Sequence, residues 1–184
     1  MRAERTVLWR RLDAPGADAC RISAGPDDLV LEGVAVWREN GENARMAYCV
    51  TCDRDGGSRA ALVEGWVGGR DLRFEIARGP EGWTVDGAAT DAPPDALDVD
   101  LGFTPATNTV ALRRMGLAVG AAGGGVAAWL DPRDWRLKPL RQRYAREAED
   151  VYRYDSPDNG YTARLRVDEH GVVALYPELW RLEG

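Results

Sequence analysis

The chain of 184 residues has one histidine, one lysine (Lys138), three cysteines and two phenylalanines, and it lacks any long apolar run. Each scarcity excludes a chemistry. The most apolar passage, Leu117 to Leu130, is too short and too glycine-rich to span a bilayer. A Ser-His-Asp system has only His170 to use, and "VDEHGVV" sets it in a hairpin turn. No G-x-S-x-G elbow accompanies it. Cys49-Val-Thr-Cys52 has the spacing of a redox or half-zinc motif. It lies in the strand-like "MAYCVTCD", where residues three apart point to opposite faces. No second pair completes four zinc ligands, so no metal site and no cofactor is expected. Gly123-Gly124-Gly125 lacks the following Lys-Ser/Thr of a P-loop and reads as a flexible turn. A net charge of −6 argues against general nucleic-acid binding, which depends on neutralising phosphates. An odd cysteine count fits a reducing compartment. The opening residues run straight into an alternating segment and not into a signal-peptide core. The expectation is a soluble, cytoplasmic protein.

What is present is alternation. Apolar residues make up 45% of the chain and seven are tryptophan, enough for the core of one domain over residues 1–184. "TVLWRRL", "DLVLEGVAVW", "RMAYCVTC", "RAALVEGW", "DLRFEIA" and "GWTVDG" read as strands separated by Gly, Asn, Asp and Pro clusters. The second half repeats the habit in "LDVDL", "TVALRR", "VAAWL", "WRLKPLRQRY", "DVYRYD", "YTARLRVD" and "GVVALY". Helical spacing competes with extended structure only from Leu140 to Asp150. A faint echo links Ala60–Glu75 to Ala163–Glu178, as two related half-sheets would. Many short strands with turn signals indicate an all-β fold, an antiparallel sandwich or barrel with at most short helices.

One block stands apart, "DVDLGFTPATNTVALRRMGL", Asp98 to Leu117. In a strand its two aspartates share one face and its apolar residues the other. A turn around Pro105 to Asn108 would place Phe103 opposite Val110, Leu101 opposite Leu112, and Asp100 opposite Arg113. Such an ion pair is worth roughly 0.2–1 kcal/mol when exposed. Thr107, Asn108 and Thr109 can bond neighbouring backbone groups, so a self-satisfied turn accounts for the block without a ligand. The functional alternative is a polar shelf of hydroxyls, an amide and guanidinium forks, suited to sugar hydroxyls or an anionic head group. Physics alone favours the turn. Asp98 and Asp100 lie too close on one strand to face each other across a sugar as a glycosidase pair. The aromatic residues, with tyrosines crowding the last third, suit a core and a cavity wall equally.

These segments, in this order, resemble the putative glycolipid-binding proteins, a bacterial family once classed as a domain of unknown function. The resemblance rests on "GWTVDG", "LDVDLGFTPATNTVALRRMGL", "AAWLDP", "LRQRYAR", "YRYDS" and "ARLRVDEHGVVALYPELW", spanning about Trp37 to Trp180. It implies an all-β fold, an antiparallel meander forming a barrel or strongly bent half-barrel, and a likeness to bacterial lipoprotein carriers and mycobacterial glycolipid-binding lipoproteins. The leading expectation is a binding protein for a glycolipid or similar amphiphile. Trp66, Trp83 and Trp129 would line its apolar cavity. Thr104, Thr107, Asn108, Arg113 and Arg114, with Gln142 and Tyr144, would form the polar end. The alternatives are an enzyme on a small polar or lipid-linked substrate, using Asp98 or Asp100 with Arg113 or Arg114, and a structural or interaction module. Oligomeric state is left open.

Overall fold

The computed structural model describes residues 3–184. Eight strands form a first antiparallel meander: β1 (Ala3–Arg11), β2 (Gly16–Ala24), β3 (Leu29–Glu39), β4 (Glu42–Cys52), β5 (Ser58–Val67), β6 (Arg70–Gly79), β7 (Gly82–Val85) and β8 (Ala88–Ala89). A short β9 (Val99–Leu101) and the helix α1 (Ala106–Met115) follow. The second meander is β10 (Ala122–Asp131), β11 (Arg136–Arg146), β12 (Val151–Ser156), β13 (Tyr161–Val167), β14 (Val173–Tyr176) and β15 (Trp180–Glu183). β15 returns to pair with β1, Leu8 opposite Glu183 through Arg11 opposite Trp180. β9 joins β10 in parallel. All fifteen strands thus lie in one sheet, with β8 and β9 as its outer edges.

The alternation works as read. In β3, Leu29, Leu31, Ala35 and Trp37 are buried while Glu32, Val34, Val36 and Arg38 face solvent. In β4, Cys52 enters the core and Cys49 points to the other face. The barrel and the strongly bent half-barrel are corrected: the sheet is open and its ladder ends at β8 and β9. β8 offers only two residues and β9 three, and β9 spends its pairing on β10 in the parallel sense. The echoing segments both form hairpins, β5–β6 and β13–β14, although the second carries a register shift at Arg166/Val167 that the first lacks.

Three local expectations are also corrected. The block from Asp98 to Leu117 is not a hairpin, because residues 106–115 are helical. Every residue of α1 from Ala106 to Leu112 is buried. Ala106 and Val110 pack into the main core, whereas Ala111 and Leu112 join a second cluster around Tyr144, Tyr152 and Tyr154. Burial on two sides overrides the weak helix propensity of Thr, Asn and Val. Arg113 and Arg114 suit the negative end of the helix dipole, and Gly116 ends it in the left-handed conformation, its N–H bonding Leu112 O at 3.2 Å. Leu140 to Asp150, where helix competed with extended structure, holds no helix, and residues 140–146 belong to strand β11. Gly123-Gly124-Gly125 is not a turn but part of β10. A side chain at Gly124 would bring its Cβ within 2.3 Å of Gln142 O, so glycine is what lets β10 lie against β11.

Candidate functional site

A cavity of ≈ 260 Å³ lies where β9, α1 and the second meander meet. Asp100, Thr104 and Asn108 supply polar groups from β9, the connecting turn and the helix. Tyr154, Tyr161 and Tyr176 supply rings from β12, β13 and β14. These three rings pack at mutual centroid distances of 6.3, 5.9 and 5.8 Å. Trp129 of β10 completes a wall. Its indole is held by two cations, the Arg133 guanidinium at 5.1 Å and the Lys138 ammonium at 5.3 Å. Both cations are anchored on the buried Asp131 carboxylate at 2.6 Å.

Asp100 is reachable from the cavity, but protein surrounds its carboxyl on the other sides. Burial pushes its pKa up to about 6, and the nearby Asp98 adds to the rise. A hydrogen bond from Gln142 Nε2 works against it. Gln142 Nε2 also lies 3.1 Å from Tyr154 OH, and Asn108 Nδ2 donates to Tyr144 OH at 2.9 Å. Burial likewise pushes the Tyr144 and Tyr154 hydroxyls up, so both stay protonated.

The expected Asp100–Arg113 pair does not form. α1 carries Arg113 to an exposed position beside Gly171, and Asp100 instead meets Gln142. The ion pair of the block is Asp98 with Arg114, closed by two parallel bonds of 2.9 and 2.6 Å. The strand alternation does place both aspartates away from Val99 and Leu101, which are buried. They nonetheless open onto different spaces. Asp98, Arg114, Gln142 and Tyr144 line a second cavity of ≈ 240 Å³, whereas Asp100 lines the first.

The other expected residues divide as follows. Thr104, Asn108 and Trp129 meet at the first cavity with Asp100, and Gln142 and Tyr144 stand behind it. Thr107 turns back, its hydroxyl accepting the Leu101 N–H at 3.3 Å. Trp66 is 38% exposed beside Val34 and Val36 on the solvent face of the sheet. Trp83 is sealed in the core, its Nε1 donating to Ala96 O at 3.0 Å.

Sequence reasoning missed β2, and with it Asp18. This carboxyl is 0% exposed and has no cation on it among the described residues. Tyr48 OH donates to it at 2.9 Å, and Thr104, from the cavity wall, donates from its hydroxyl. Burial pushes Asp18 up to about 6, against the pull of those two hydroxyls. One signal was available: in "GADACRISA" the period-two row Asp18, Cys20, Ile22 is broken in polarity only by the aspartate.

The features together are those of a mostly β protein with a small, partly enclosed, aromatic cavity. Among the described residues, no helix is long and apolar enough to cross a membrane. The chain belongs to the family described as putative glycolipid-binding, which matches residues 6–182. It is similar in structure to a DUF1089 family protein from Pseudomonas aeruginosa known from a crystal structure. The two share 28% identity over 89% of this chain and 90% of that one, with a TM-score of 0.76. No curated protein matches the chain.

Proposed function

We propose that this protein binds a glycolipid by its sugar headgroup, in the cavity between Asp100, Asn108, Trp129 and Tyr154. The observation that carries the reading is the composition of the wall. Aromatic rings stand beside a carboxyl, an amide and a hydroxyl, the combination that grips a sugar ring by its C–H face and its O–H groups. At ≈ 260 Å³ the cavity falls just below the roughly 300–1,000 Å³ of drug-sized sites. It takes one ring, and the acyl chain remains outside.

Calorimetric titration with octyl glycosides of several sugars, below their micellar concentrations, tests this. Binding of at least one is expected, and Trp129→Leu should weaken it about threefold to tenfold, the worth of one aromatic contact. If no glycoside binds and no lipid co-purifies in native mass spectrometry, the reading fails. An enzyme reading retains one observation in its favour, the Asp100 pKa raised to about 6, toward the range in which a general acid works. Release of free sugar during the same titrations would favour it.

A further inference from the structure

We propose that the cavity selects a headgroup bearing a positively charged amine, an amino sugar with its nitrogen unacetylated, over neutral and anionic sugars. The inference rests on the glycolipid reading and deepens it. Its basis is a charge without a counter-charge. Asp100 is the one charged side chain in the cavity lining. Its hydrogen-bond donor is the neutral amide of Gln142, and no cation pairs with it among the described residues. The cations nearby are already engaged. Arg114 is closed on Asp98, and Lys138 is held by Asp131 and Asp134 at 2.6 and 3.0 Å. Arg141, outside the cavity, is bound to Asp158.

A carboxylate so enclosed is costly to ionise unless a cation joins it. Its pKa of about 6 reflects that cost, yet near pH 7 most of it is ionised. The surroundings add negative potential. Asp98, two residues away and paired with Arg114, still raises the Asp100 pKa, and the electron-rich rings of Tyr154, Tyr161 and Tyr176 line the same cavity. An ammonium group in the cavity donates a charge-assisted hydrogen bond to Asp100 and gains cation–π contact from the rings. A hydroxyl at the same position donates to the carboxylate but leaves its charge uncompensated, an acetamide adds bulk without charge, and a phosphate or uronate is repelled.

The test compares three probes that share one tail at pH 7: octyl glucoside, octyl glucosaminide and octyl N-acetylglucosaminide. The free amine should bind at least tenfold tighter than the other two. In Asp100→Asn that ratio should fall to near one, with the melting temperature checked to confirm folding. Asp100→Ser, which removes the carboxyl without an amide in its place, should abolish the ratio as well. Equal binding of amine and hydroxyl by the wild type overturns the charge preference and leaves the glycolipid reading standing. A preference that survives both variants also overturns it. Binding of none of these probes, or of the wider glycoside panel, overturns both.

Discussion

At the scale of single residues, the aspartate that sequence reasoning missed makes the sharpest statement about stability. Asp18 has hydroxyl partners and, among the described residues, no cation, so burial dominates and holds its proton to about pH 6. In the unfolded chain the same carboxyl ionises near pH 4. Between these values the native state binds more protons, so the contribution to stability is complete below about pH 4. It is lost as pH rises through about 6. A shift of this size corresponds to about 3 kcal/mol. Asp18→Asn keeps the shape, accepts from Tyr48 or Thr104, and never ionises. Urea unfolding should show the wild type losing about 3 kcal/mol relative to this variant between pH 4 and pH 7.5. Parallel pH profiles for the two proteins would mean that burial does not hold the Asp18 proton.

At the scale of elements, β9 and α1 decide where the cavity lies, and both depend on contacts from the first meander. Ser58, at the start of β5, binds this segment twice. Its N–H donates to Leu97 O at 2.7 Å, and its hydroxyl accepts from Val99 N at 3.1 Å. Ser58→Ala keeps the first bond and strands the buried Val99 N–H, at a cost of about 1–3 kcal/mol. Amide exchange at Val99 should accelerate with little change in the strands of the second meander. Unchanged protection would show that β9 is held by β10 alone. The same elements mark how far the sequence was legible. Strands with large apolar residues on alternate positions were readable because one buried face leaves a period-two trace. β2 was not, because Ala17, Ala19 and Cys20 are small and its core row includes Asp18. α1 was not, because its apolar residues serve two clusters and leave no single helical stripe. Of the site, the block around Asp98–Arg114 was legible as a polar concentration. The partner choices were not, since residues 106–115, read as a turn and a following strand, form a helix that moves Arg113 away and brings Asn108 to Tyr144.

At the scale of the molecule, the two meanders are joined through strands far apart in sequence. β1 pairs with β15, and Trp9, fully buried, donates its Nε1 proton to Val173 O at 2.6 Å across 164 residues. Loop closure over such a span comes before any of these contacts can form, so folding belongs to the slow regime of β topologies, milliseconds to seconds or longer. The arrangement also makes each half dependent on the other. Trp180 of β15 is buried in the main core and borders the cavity, so this strand ties the site to β1 as well as to β14. Ending the chain after Pro177 removes β15 and leaves β1 and β14 as open edges, with the Trp180 space empty. Loss of a large buried aromatic alone costs roughly 3–5 kcal/mol, and exposed edges invite association. The truncated chain should therefore unfold at a much lower urea concentration, with a smaller m value, and form oligomers on size exclusion. Its tryptophan fluorescence should report loosening of the first meander, where Trp9, Trp37 and Trp83 are buried. If the midpoint and the m value stay at the wild-type values, the β1–β15 pairing is not what makes the fifteen strands one cooperative sheet.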